Sequence, residues 1–226
     1  MKARPEIIRS NLGDQIYDAL CERILDLEYE PSERLVIDQL ARELGVSGTP
    51  VRDALNRLAA ERLIELTPFR GFSVLPDPTP EEIEHSFEAR LAIEPFAARL
   101  GCERATEQDV DELRAIQDRI ESRTYGKRSG SFARFVRLNR EFHDVLVATS
   151  GNPFLVAALR SLYHEALMAR TMHGRGVPDL EHVSDEHRAI IDALARRDAG
   201  AAEEAVSRHI RDGATRILAA RAGASS

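Results

Sequence analysis

Asn139, His143, His187 and His209 are the residues of this chain whose types and spacing could hold a metal ion. Asn139 and His143, in Arg137-Leu-Asn-Arg-Glu-Phe-His143, are four apart and share one face of a helix. His187 has Ile190, Ile191 and Leu194 following it on an apolar face, and His209 lies in Val206-Ser-Arg-His-Ile210. The interval between these two histidines fits two antiparallel helices joined at Arg197-Asp-Ala-Gly200, which brings both rings to similar depth. A bundle that turns one amide oxygen and three imidazoles inward suits Zn, with Ni or Mn as alternatives, and leaves positions for water or a ligand. Any one of these histidines alone reads better as a hydrogen-bonded residue beside the core. The four together carry the metal reading. His85, His164, His173 and His182 fit no such pattern and read as solvated.

The elements that position these residues follow from periodicity and breakers. Beyond Pro76-Asp-Pro-Thr-Pro80 the chain shows helical patterns at about 80–103, 106–123, 131–149, 153–172, 179–196 and 199–221 and no convincing strand. Six helices on short connections predict an all-helical antiparallel bundle. The first 75 residues read differently. Leu12, Ile16, Leu20, Ile24 and Leu27 predict a helix over about 12–27, and Leu40, Ala41 and Leu44 line a short second helix over 37–44. A turn follows Gly45, and a third helix starts near Thr49-Pro50 with Val51, Ala54, Leu55, Leu58 and Ala59 inward. Ile64–Thr67 and Phe72–Leu75 predict two strands around Pro68-Phe-Arg-Gly71, a wing. The layout is a helix-turn-helix, whose second helix can lie in the major groove of DNA. The predicted domains are a winged head at 1–75, a Pro-rich linker at 76–80 and a helical domain at 81–222.

Composition sets the outer bounds. The 226 residues are 43% hydrophobic and 31% charged, as in an ordinary folded protein. No apolar run approaches the roughly 20 residues of a membrane span, and no long apolar core follows the N-terminal charges, so a cytoplasmic protein is expected. Cys21 and Cys102 give no disulfide framework. A net charge of −7 disfavours a nucleic-acid binder that works by bulk attraction. Residues 46–75 nevertheless carry Arg52, Arg57, Arg62 and Arg70 against Asp53, Glu61 and Glu65, so positive charge is local to the reading surface.

Leu44-Gly-Val-Ser-Gly-Thr-Pro-Val-Arg-Asp-Ala-Leu-Asn-Arg-Leu58, backed by Phe69-Arg-Gly-Phe72, resembles the winged helix-turn-helix of GntR-family transcription regulators. With the helical C-terminal part, the chain is similar to the FCD subgroup over nearly its whole length. The resemblance implies that Ser47, Thr49, Pro50 and Arg52 open the recognition helix, where hydroxyls and backbone N–H groups hold phosphate oxygens. Arg52 would meet a guanine edge or a phosphate. Gly71 would bring the wing close to the backbone, and Arg70 would reach a phosphate or the minor groove. Gly48 and Asp38 stand where relatives carry DNA-contacting arginines, so sequence preference does not transfer. The resemblance also matches Asn139, His143, His187 and His209 to the FCD metal motif, an Asp or Asn four before a His with two more His on the last two helices. It puts Arg90 beside that pocket as a clamp for a carboxylate effector. The other readings stay open: Arg52 on a solvated helix face, Thr49 as a cap, and Arg90 in a helix-surface pair with Glu94 or Ser86.

The function expected is a homodimeric regulator, a repressor by family habit, that grips a double-stranded operator and answers to a small organic acid with a metal assisting. A helical metalloenzyme built on the three histidines is the rival, although Glu141 and Asp185 are its best-placed bases. A winged head used for protein contacts is a further one.

Overall fold

The computed structural model describes residues 10–122, 131–162 and 179–222. It divides into two compact units, Met1–Pro76 and Asp77–Ser226.

In the first unit, α1 (Ser10–Leu25) buries Ile16, Leu20, Cys21, Ile24 and Leu25 and packs on α3 (Gly48–Ala60). Helix α2 (Ile37–Leu44) stops because Gly45 takes φ 66, a left-handed conformation open to a residue without Cβ. Val46 N–H then reaches back to the Ala41 carbonyl at 3.0 Å. Helix α3 turns Val51, Ala54, Leu55 and Leu58 inward, and Pro50 sits in its first turn, where backbone N–H groups lack helical partners in any case. Ser47 takes the cap position, though its side chain accepts no helix N–H, and Thr49, the residue read as a cap, lies inside the helix. Leu44 is only half-buried, in the last turn of α2.

The sheet has a strand that periodicity did not reveal. β1 (Arg34–Leu35) joins β2 (Ile64–Thr67) and β3 (Gly71–Val74) in the antiparallel order β1-β3-β2. Leu66 pairs with Phe72 across the hairpin, and Leu35 pairs with the same Phe72 from the other side. Two residues are too short to show alternation, so β1 exists only by tertiary pairing. The second wing strand also begins one residue earlier than expected, at Gly71.

The second unit is helical throughout its described residues. Pro80 is the first residue of α4 (Pro80–Arg104) rather than the end of a linker, because Thr79 and Glu82 form a reciprocal cap. Thr106 and Asp109 cap α5 (Glu107–Glu121) in the same way. α6 (Ser131–Ala148) and α7 (Pro153–Arg160) follow, then α8 (Leu180–Ala195) and α9 (Ala199–Ala222). The expected helix over 153–172 closes at Arg160, and its part from residue 163 on, with His164, lies outside the described residues, as does His173. α9 packs along α4 and α8, while α5 packs on α6 and α8. The core between them holds Phe87, Leu113, Ile116, Phe142, Leu146, Ile190 and Ile210.

Close approach within this unit depends on Gly101 of α4. A Cβ built there would lie 2.1 Å from Thr149 Oγ1 and 3.1 Å from Thr149 Cβ. Thr149 is buried and hydrogen-bonded to the Leu146 carbonyl, so it has little freedom to yield. Gly101→Ala is expected to destabilise the chain by about 1–3 kcal/mol through overpacking. Gly13→Ala, with open space around its position in α1, should instead stabilise it by up to about 1 kcal/mol through helix propensity. Thermal unfolding of the two variants, with shifts of opposite sign, checks the pair.

Candidate metal centre and nucleic-acid interface

Five helices of the second unit turn polar side chains into one buried cluster. His143 comes from α6, His187 from α8 and His209 from α9, and one nitrogen of each lies within 4.8 Å of the others. His187 is 0% exposed, and His143 and His209 are buried beside it. The Phe142 ring stacks on the His187 ring at 4.0 Å and 8°, which fixes its plane.

A second ring of residues decides which nitrogens face inward. His143 Nδ1 is 2.6 Å from Glu94 Oε2, His209 Nδ1 is 2.7 Å from Glu186 Oε2, and His187 Nδ1 is 2.8 Å from Gln117 Oε1. A carboxylate accepts only, so the first two rings carry their proton on Nδ1. Gln117 donates its amide N–H to Glu121 at 2.7 Å, which leaves its oxygen to accept from His187. All three rings therefore hold Nδ1–H, which turns their Nε2 atoms to the centre; the His143 Nε2 there also accepts from Arg90 Nη2. His143 Nε2 and His209 Nε2 are 3.2 Å apart. Tetrahedral zinc with Zn–N of about 2.0–2.1 Å sets ligand nitrogens roughly 3.3 Å apart. His187 Nε2 is buried with no hydrogen-bond partner among the described residues. An orphaned lone pair in a buried site is costly, and a cation removes that cost. The donor set fits a divalent metal.

The remaining charges balance. Arg90 Nε donates to Glu94 Oε1 at 2.5 Å, and Arg90 Nη2 lies 3.2 Å from His143 Nε2. Arg216 grips Glu186 with two bonds of 2.8 Å. Burial opposes the charged form of Glu94, but the Arg90 guanidinium and His143 outweigh it and hold the carboxyl well below its usual range. For Glu186 burial is likewise outweighed, by His209 and Arg216, and the carboxyl is pushed down to about 2. Burial pushes His209 down to about 4, against the opposing pull of Glu186. Burial, with the neighbouring rings and arginines, lowers His187 well below its ordinary value. These two rings stay neutral at neutral pH, the state in which imidazole ligates metals.

Asn139 is buried on α6 one turn before His143. Arg90 is 4% exposed, so its pair with Glu94, expected on a helix surface, is a buried one within the cluster. Glu94, Gln117, Glu186 and Arg216 were not singled out as site residues from sequence. Gln117 had a signal, as a polar residue within the inward stripe Val110, Leu113, Ile116 and Ile120 of α5. Glu186 neighbours His187, and Arg216 lies two turns beyond His209 on the same helix face. His182 was read as solvated; it is exposed, yet its Nε2 is 3.1 Å from Glu186 Oε1. The bases of the rival enzyme reading face away from this cluster: Glu141 pairs with Arg119 and Asp185 with Arg188.

In the first unit, Ser47, Thr49, Arg52 and Arg70 are exposed, and Pro50 and Gly71 are half-exposed. Arg57, by contrast, is tied to Asp14 at 2.8 Å and lies over the Tyr17 ring. Arg52 and Arg70 make no ion pair among the described residues, which leaves two cations at the start of α3 and on the wing.

Residues 12–74 match the bacterial regulatory proteins of the gntR family, and residues 85–212 match the FCD domain. The Nta operon transcriptional regulator of Aminobacter aminovorans is 33% identical over 192 residues, 84% of this chain and 87% of that protein. The galactonate operon transcriptional repressor of Escherichia coli (strain K12) is 26% identical over 216 residues, 86% of this chain and 92% of that one. The solved structure of E. coli McbR/YncC shares the fold, with a TM-score of 0.71 at 22% identity over 92% of this chain and 97% of its own. A winged head in the first unit and a helical domain in the second, each matching in its own right, place this chain in the GntR family of transcription regulators, in its FCD branch.

Proposed function

We propose that this regulator is a cytoplasmic, homodimeric repressor that binds a near-palindromic operator and releases or tightens it in response to a small carboxylate. The carboxylate is sensed at a divalent metal, zinc before nickel or manganese, held by His143, His187 and His209 with the Asn139 amide oxygen as a further ligand. The observation that carries this reading is the set of three Nδ1–H groups held by Glu94, Gln117 and Glu186, which turns three Nε2 atoms toward one buried point. Such outer-shell partners orient imidazole ligands and raise their basicity.

Charge favours an anionic effector. Arg90 with Glu94 and Arg216 with Glu186 cancel, and His187 and His209 are neutral, so a dication adds positive charge that an anionic ligand would balance. A bound metal would supply a Lewis-acidic anchor for a carboxylate oxygen. Arg90, held in the pocket by Glu94, supplies the second anchor. The Escherichia coli relative is named for a galactonate operon, and galactonate is a carboxylate, which agrees with an organic-acid effector. On the head, Ser47, Thr49, Pro50 and Arg52 present the first turn of α3 to phosphates and base edges, and Arg70 and Gly71 bring the wing to the backbone. Effector binding then acts on operator affinity as a coupling free energy between the two units.

Metal analysis of the purified chain, a thermal-shift screen of organic acids and a mobility assay test this together. Expected are a bound divalent metal that is lost in His187→Ala, a raised melting temperature with at least one hydroxy acid, dicarboxylate or sugar acid, and altered operator retention with that acid. A chain that binds none of the three metals, or whose operator affinity responds to no acid, contradicts the proposal. Gln117→Ala and Glu186→Gln should each weaken metal binding by about 10–100-fold while the ligands themselves remain. Competition titration against a chelator measures this.

Acid should destabilise the chelator-treated protein. His209 folds with a value near 4 against an ordinary 6.5, so the unfolded chain binds more protons between those values. Stability present above pH 6.5 is therefore lost as the pH falls toward 4, and Glu186 adds a further loss between its ordinary 4.5 and about 2. Unfolding midpoints that stay level from pH 7 to 4 contradict the sign.

A further inference from the structure

The tip of the wing carries an aromatic ring that lies outside the core of its unit. Phe69 is fully exposed, at 108%, whereas Phe72, three residues on, is 6% exposed and part of the core. The turn closes with Arg70 N–H on the Thr67 carbonyl at 3.1 Å, which places Pro68 and Phe69 at its two central positions. Phe69 has φ 64. A positive φ at the second central position ordinarily belongs to Gly or Asn, and a bulky aromatic there is strained. Strain and full exposure at one residue point to a role outside the chain. The ring is also flanked by cations: Arg70 follows it, and Arg34 from β1 donates to the Arg70 carbonyl at 2.6 Å, pinning the tip.

We infer that Phe69 is an apolar wedge that enters the minor groove beside the wing and partly unstacks one base step of the operator. The inference rests on the DNA-reading role proposed for the head and deepens it. A neutral ring gains nothing from phosphates, but bases and sugars offer apolar faces, and Phe is among the side chains that wedge between base steps from the minor groove. The step it selects is a pyrimidine–purine one, TA or CA/TG, because such steps unstack at least cost. Arg34 and Arg70 on the same tip match the negative potential of that groove and favour nucleic acid over an apolar protein or lipid partner. Phe69 would thus add sequence preference through deformability, at positions where Arg70 adds only attraction.

The test uses the full chain and a duplex enriched by it from a random pool. The variants are Phe69→Asn, which suits the left-handed turn and lacks the ring, Phe69→Leu, which keeps an apolar wedge, and Arg70→Ala. Expected for Phe69→Asn are affinity weaker by about tenfold or more, the scale of a lost base contact, and an unchanged or higher melting temperature. Its dependence on salt should equal that of the wild type, whereas Arg70→Ala should lower the salt slope by about one ion. Phe69→Leu should stay within about threefold of wild type, since Leu also serves as a wedge. 2-Aminopurine at the wing-proximal step should brighten with wild type and not with Phe69→Asn. Equal affinity of Phe69→Asn and wild type, or equal brightening by both, overturns the wedge while leaving the regulator standing. Failure of the wild type to enrich any sequence overturns the DNA-reading role and the wedge with it.

Discussion

Polar groups sealed inside a helical bundle must find partners there, and this requirement governs the second unit. Glu94 has no exposure and Arg90 almost none, so each needs the other, since losing one member of a buried pair strands the remaining charge. The same requirement fixes the histidines. Once Glu94, Gln117 and Glu186 accept hydrogen bonds from the Nδ1–H groups, the Nε2 atoms are turned to the centre, and one of them, on His187, stays unsatisfied among the described residues. That open acceptor in the middle of an otherwise hydrogen-bonded network supports the metal site proposed above.

Much of this was legible in the residues. Apart from the helix expected over 153–172, which closes at Arg160, helical periodicity gave the elements of the second unit to within a few residues, because long amphipathic helices depend on local pattern and on caps such as Thr79–Glu82. The three histidines were legible for the same reason, each lying on a helix whose inward face its neighbours declare. Their partners were not. Glu94 lies 49 residues from His143 and Gln117 lies 70 from His187, so these contacts depend on which helices neighbour one another in the bundle. Arg90 shows the limit clearly: spacing gave its pairing with Glu94, and burial turned a surface ion pair into a structural one.

The winged head divides in the same way. Helices α2 and α3 were readable from Leu40, Ala41, Val51, Leu55 and Leu58, and the turn between them from Gly45. Strand β1 was not, because two residues carry no period and Arg34–Leu35 become a strand only by pairing with β3. At the wing tip, Gly71 is left-handed at φ 83, as its residue type suggests, and the closing turn makes Phe69 left-handed as well, at φ 64. Residue preference marked where the chain reverses and missed which residue bears the strain.

Nitrogen-15 NMR of the histidine rings in the zinc-loaded chain tests the centre most directly, since it reports which ring nitrogen carries the proton and which is ligated. Zinc held as proposed gives Nδ1–H and a ligated Nε2 on His143, His187 and His209 together, with the other histidines unchanged. A proton retained on Nε2 of any of the three, or spectra indifferent to zinc, would contradict the site.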